Sequence, residues 1–150
     1  MWFSRGFEAT HAAEQILKEY ARFLVDHNES AGAALRYSQL VERFPGNAEY
    51  RTLLGNTYLT LGLHDHALQE YQRANDLANG SQGWILANIG NLFNNLGLHG
   101  EAITYFNRAL EKEPNSEYAH ERLAQAQKRS REEVEKVSEL LREAQRAVSS

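Results

Sequence analysis

The sequence predicts an all-α fold, a solenoid of three helical hairpins followed by a long C-terminal helix. Three observations predict it. The stretch LGNTYLTLGLHDHALQEYQRA, Leu54 to Ala74, returns thirty-five residues later as IGNLFNNLGLHGEAITYFNRA, Ile89 to Ala109. Apolar residues inside each copy recur at the three-and-four spacing of a helix face rather than alternating as in a strand. β-branched residues, which favour strands, are sparse.

The positions that survive between the copies say what the repeat is for. Gly55 matches Gly90, Gly62 matches Gly97, Ala67 matches Ala102 and Ala74 matches Ala109. Aromatic answers aromatic at Tyr58/Phe93 and Tyr71/Phe106. Small residues recur where two helices cross closely, and large ones where a core needs filling. A weaker copy lies upstream, with Ala33, Tyr37 and Pro45 ahead of Ala67, Tyr71 and Asn79. The units so defined are 14–47, 48–82 and 83–116, the second with an extra residue near NGSQG, within one domain spanning 1–150.

Each unit has the signals of a helical hairpin. In the third, Leu86, Ile89, Gly90 and Phe93 fall on one face of a first helix. Gly97 ends that helix, because glycine readily takes the left-handed conformation past a helix terminus. Ala102, Ile103, Phe106, Ala109 and Leu110 line a second helix, and Pro114 closes the unit. A hairpin cannot bury its apolar face alone, whereas stacked copies bury one another's, so each copy needs the same residues. Residues 117–150 begin like a fourth first helix, with Ala119, Leu123 and Ala124 facing inward. No second helix follows, which marks this segment as a capping and extension helix. Residues 1–13 form an N-terminal segment in which Trp2, Phe3 and Phe7 are expected to cover the first hairpin or meet another chain.

On these residues the sequence resembles the tetratricopeptide repeat family, a 34-residue helix-turn-helix with the pattern W-x2-L-G-x2-Y…A-x3-F…P. The third unit supplies Leu86-x2-Ile89-Gly90-x2-Phe93…Ala102-x3-Phe106…Pro114. The second supplies Arg51-x2-Leu54-Gly55-x2-Tyr58…Ala67-x3-Tyr71, with Asn79 at the proline place. The first supplies Leu17-x2-Tyr20-Ala21-x2-Leu24…Ala33-x3-Tyr37…Pro45. Tryptophan is missing from its usual place in all three. The resemblance implies a right-handed solenoid acting as a non-catalytic scaffold or adaptor, which binds an extended peptide or a partner helix in the concave groove lined by first helices.

Repeat phase places Lys18 and Arg22 from the first unit in that groove, Thr52 and Asn56 from the second, Trp84, Asn88, Asn91 and Asn95 from the third, and Arg122 from the last helix. Asn94 has a similar phase. Asn88, Asn91 and Asn95 share a helix face, and a side-chain amide both donates and accepts hydrogen bonds. Such a ladder can pair with the backbone of an extended peptide. Some family members clamp a C-terminal carboxylate with lysines, asparagines and an arginine. Asn56, Asn88 and Arg122 match those places, but Thr52 and Tyr118 stand where the lysines would be. Half the positive charge is missing, so tight capture of an acidic tail is not expected.

Other functional classes find little support. The chain has 150 residues, is 42% hydrophobic, carries a net charge of −4 and has no cysteine. Disulfides, thiolate metal sites and cysteine nucleophiles are excluded. No apolar run is long enough to span a membrane or to form a secretory signal. The only basic cluster, Lys128-Arg129-Ser130-Arg131, is followed at once by Glu132 and Glu133, so no nucleic-acid partner is expected. His64, His66 and His99 fall in turns expected to lie in solvent, and a metal site needs three or four converging ligands. No catalytic constellation or cofactor motif is present. A cytoplasmic location is expected, or a periplasmic or membrane-tethered one if these residues belong to a longer chain.

The tail contains a second periodic signal. Val134, Val137, Leu141, Ala144 and Val148 alternate spacings of three and four, a heptad seam. The tail could pack on the last repeat, pair with a second copy, or lead into a further domain. Self-assembly through this seam, and service as the regulatory domain of a larger enzyme, are therefore the alternatives to a peptide-binding scaffold.

Overall fold

The computed structural model describes residues 2–150, with side chains described from residue 5 onward. Among the described residues there are seven helices and no strand: α1 (Trp2–Asp26), α2 (Ser30–Arg43), α3 (Ala48–Thr60), α4 (His64–Leu77), α5 (Gly83–Asn95), α6 (His99–Lys112) and α7 (Glu117–Ser149). They form two compact units, one ending at Ser81 and the other beginning at Gln82.

In the first unit α1 packs on α2, α2 on α3 and α3 on α4. Its core is built from Ala21, Leu24, Ala33, Tyr37, Leu40, Tyr50 and Leu54, with Leu17, Phe44, Leu53 and Tyr58 packed around it. The Tyr71 ring is fully buried. A Cβ on Gly55 would lie 2.6 Å from Tyr71 Cε1, so only glycine lets the ring lie this close to α3. The second unit repeats the device, with Gly90 facing the buried Phe106 ring. Here α6 packs on both α5 and α7, over a core of Leu86, Ala87, Ala102, Phe106, Ala109, Ala119 and Ala126.

Helix ends follow the turn chemistry expected of Gly97. After α3 the Leu63 amide donates to Tyr58 O at 2.9 Å and the Gly62 amide to Leu59 O at 3.0 Å, with Gly62 at φ 74°. After α5, Leu98 and Gly97 make the same pair of bonds, to Phe93 O and Asn94 O. Two bonds of this pattern satisfy carbonyls that a helix terminus would leave unpaired. Asn28 and Asn79, both at positive φ, play the glycine's part after α1 and α4.

The missing tryptophan has a physical explanation in the second repeat. Arg51 stands at that place, and its Nη1 donates to Glu70 Oε2 at 3.1 Å while Arg73 donates to Glu70 Oε1. Arg51 Nε also donates to Pro45 O. The corresponding pair in the third repeat is the buried Leu86 with the half-buried Tyr105. Charge pairing in one repeat thus occupies the place of apolar packing in the other.

Residues 2–13 are the start of α1, one helix of 25 residues that continues into the first repeat. Two expectations are corrected. Phe7 does not cover the first hairpin: it is 74% exposed, and its ring stacks on His11. The side chains of Trp2 and Phe3 lie outside the described residues. On α7 it is Ala126, not Ala124, that is buried beyond Ala119, because Ala126 lies seven residues on and so returns to the same face, whereas Ala124 points to solvent.

The middle of α1 is tied to α3 by polar contacts. The Tyr50 hydroxyl donates to the Glu14 carboxylate. Burial, with that carboxylate beside it, raises the Tyr50 phenol above its ordinary value of 10.0. Burial raises Tyr37 as well, with Arg22 acting in the opposite direction. A tyrosine that holds its proton more tightly when folded contributes stability that is intact below the unfolded value and lost as pH rises past it. Stability should therefore fall above pH 10, by at most about 1.4 kcal/mol per pH unit for each such group. Chemical unfolding of the protein and of its Tyr50→Phe variant across that range checks this; an identical slope in the variant would rule Tyr50 out as the source.

Candidate functional site

The first unit presents a cavity of about 360 Å³ lined by Val25, Asn28, Ser30, Tyr37, Leu53, Asn56, Thr57 and Thr60. Val25, Leu53 and the Tyr37 ring supply apolar wall, and the amides and hydroxyls supply a polar rim. The Thr57 and Thr60 hydroxyls already donate to Leu53 O and Asn56 O. Asn56 is half-buried, and its Oδ1 accepts from the Tyr71 hydroxyl at 2.6 Å. That bond engages the amide oxygen and leaves the NH2 as the group with donors to offer. Lys18 is not free for a ligand's charge: its Nζ lies 3.3 Å from Glu49 Oε1 and 5.9 Å from the Tyr50 ring centre. Arg22 is exposed.

Thr52 does not belong to this face. It is 1% exposed, and its hydroxyl donates back to Ala48 O within α3. Ala87, at the same phase of the next repeat, is buried too. Lys18 shares the phase but is long enough to carry its ammonium out to Glu49, as lysine stems commonly do.

In the second unit α5 displays Asn88 and Asn91, both half-buried, and Asn95, exposed. No side-chain hydrogen bond engages these three amides among the described residues. Trp84 is 36% exposed; its indole N–H donates to Gln82 Oε1, and its backbone amide to Glu113 Oε1. Arg122 on α7 lies over the Tyr118 ring at 5.2 Å and donates to Gln125 Oε1. Among the described residues no carboxylate neutralises it.

Asn94 is not displayed. It is 4% exposed, and its Oδ1 lies 2.8 Å from Nδ1 of His99. His99 is itself buried, contrary to the solvent position expected of it, and its Nε2 lies 3.2 Å from Glu133 Oε1 on α7. The histidine acts as a clasp joining α5, α6 and α7. Its repeat partner His64 gives no hint of this, because the carboxylate comes from a helix outside the repeat pattern. Sequence phase also missed Ser30 and Tyr37 at the first-unit cavity, since it counts first helices while these belong to α2. Among the described residues no group of three His, Asp or Glu side chains is placed to hold a metal ion, and no helix is long and apolar enough to cross a membrane.

Tandem helical hairpins with a small-residue crossing and an aromatic plug define a helical-repeat protein. Tetratricopeptide repeat profiles match residues 20–82 and 83–116. The chain belongs to the tetratricopeptide repeat family, whose fold is an all-α helical solenoid. Among solved structures it is similar to the Sgt2 TPR domain of Aspergillus fumigatus, at 20% identity and a TM-score of 0.73, over 83% of this chain and 82% of that one. It is similar to the first TPR of Spaghetti (RPAP3) bound to the HSP90 peptide SRMEEVD, at 23% identity and 0.69, over 77% and 90%. It is also similar to the second TPR domain of human RPAP3 in complex with the HSP70 peptide SGPTIEEVD, at 21% identity and 0.69, over 78% and 97%. No curated protein sequence matches it.

Proposed function

We propose that this protein is a non-catalytic adaptor that holds an extended peptide segment through side-chain amides. In the second unit Asn88 and Asn91 would bond the peptide backbone, with Arg122 selecting charge; in the first unit, taken by itself, Asn56 and Arg22 would play the same two parts. The observation behind this reading is the pair of half-buried amides on α5, Asn88 and Asn91, that no side-chain hydrogen bond engages among the described residues. Their amide atoms keep contact with solvent, so a peptide backbone would replace bonds to water, for a net gain of about 1 kcal/mol each. The peptide complexes of similar domains support a peptide as the ligand class. Lys18 contributes less than its phase suggests, because Glu49 already neutralises it.

The test is to select binders from a random displayed peptide library on the whole protein and to measure the affinity of one by calorimetry. Two hydrogen bonds at about 1 kcal/mol each make the Asn88→Ala/Asn91→Ala variant bind about thirtyfold more weakly. Unchanged affinity would end the reading. Converting the peptide's C-terminal carboxylate to an amide should cost little, because Thr52 is buried and offers no cation.

A further inference from the structure

The outer part of α7 is bare. The helix has 33 residues, and Ala126 is the last of them to be buried. The ion pair from His99 Nε2 to Glu133 Oε1, at 3.2 Å, is the last polar contact it makes with another helix among the described residues. Beyond it Val134, Val137, Leu140, Leu141 and Val148 stand 63, 55, 54, 59 and 88% exposed. An apolar stripe of this kind on a soluble protein marks a surface that something covers. An isolated helical stretch of this length is also marginal in water without packing.

We propose that a second copy of this chain covers it, with the two outer α7 segments running antiparallel about a two-fold axis near Glu139. The heptad seam is self-complementary in that register. Val134 faces Ala144 of the second copy, Val137 faces Leu141, and Ser130 faces Val148, so a small side chain meets a large one at two of the three levels. Leu140, which flanks the seam, lies beside its own copy at the centre. A parallel pair would instead set Leu140 against Gln145 and each apolar residue against its own kind.

Charge selects the same direction. The first half of the segment is acidic, with Glu132, Glu133, Glu135 and Glu139 against Arg131 and Lys136. The second half is basic, with Arg142 and Arg146 against Glu143. Most of these charges lie on the outer face rather than beside the seam, so they act through the field of each half: antiparallel pairing sets an acidic half beside a basic one, whereas parallel pairing sets like halves together. The stretch covered, 130 to 148, begins just beyond the last buried residue of α7. Each helix would therefore change partner around Glu133, which still faces His99 of its own chain.

Light scattering on the whole chain, over about a hundredfold range of concentration, reads the assembly directly, since a dimer dissociates by mass action. A mass twice that of the monomer, falling twofold in a Leu141→Glu variant, is expected. Leu141 is exposed within one chain, so that variant keeps its fold, and unchanged far-ultraviolet dichroism verifies this. The chain has no cysteine, so introduced thiols report orientation cleanly. A mixture of the Val134→Cys and Ala144→Cys variants should cross-link on oxidation, and Val134→Cys alone should not. A monomer at every concentration overturns the proposal and gives the stripe to an unlike partner. A dimer that survives Leu141→Glu, or Val134→Cys cross-linking to itself, overturns it equally.

Discussion

A Glu70→Ala variant is expected to lose about 3 kcal/mol of stability, toward the lower end of what breaking a buried ion pair costs. The Glu70 side chain is 11% exposed and that of Arg51 15%. Removing the carboxylate leaves the Arg51 guanidinium, 15% exposed, with Pro45 O as its remaining acceptor among the described residues. The repeat itself suggests the rescue. The third repeat fills the same two places with Leu86 and Tyr105, so Arg51→Leu together with Glu70→Tyr should restore the wild-type midpoint. Replacing a buried pair by packed apolar groups is often neutral or better. Urea unfolding at neutral pH measures both variants. A loss under 1 kcal/mol for Glu70→Ala would place the pair with surface salt bridges of little worth.

The same pair shows where sequence reasoning stops. Glycine, alanine and aromatic positions were legible because each is dictated by one local demand, a crossing, a turn or a plug, and the repeat states each demand twice. Gly62 and Gly97 fall at helix ends, and Gly55 and Gly90 fall under rings, as their recurrence implied. Arg51 at the tryptophan place was legible as a departure, but its compensation by Glu70 was not, since that requires knowing which residue of α4 faces it. Thr52 and Asn94 failed for a related reason. Phase assigns a direction from the helix axis, whereas burial depends on what surrounds that face. Thr52 is buried with its hydroxyl bonded back to Ala48 O of its own helix, and Asn94 meets His99 at the start of α6. That Asn88, Asn91 and Asn95 share one face of α5 was legible from their spacing, but not that no side-chain hydrogen bond engages them among the described residues. The outer half of α7 was legible as a seam, but that it stays uncovered within one chain follows only from how far α6 reaches.

Gly55→Ala should cost about 2 kcal/mol and, separately, weaken peptide binding. A methyl group in mid-helix ordinarily gains up to about 1 kcal/mol over glycine. Here it would meet Tyr71 Cε1 at 2.6 Å and Cδ1 at 2.7 Å. The ring is fully buried and cannot yield without moving α4, so overpacking, at about 1–3 kcal/mol, exceeds the helix-forming gain. Gly100→Ala is the control, because a Cβ there meets nothing within 4 Å and only the gain remains. The second consequence follows from the Tyr71 hydroxyl, which holds Asn56 Oδ1 at 2.6 Å and so fixes the orientation of an amide that lines the cavity. A displaced ring releases that amide. Tyr71→Phe isolates this step, since it keeps the ring and removes the hydroxyl. If Asn56 is a ligand group, that variant should weaken a selected peptide about fivefold to tenfold, the worth of orienting one hydrogen bond. Calorimetry with the folded variant reads the affinity. An undiminished affinity in Tyr71→Phe would show that the close approach at Gly55 serves packing alone, and would leave the asparagines of α5 as the binding groups.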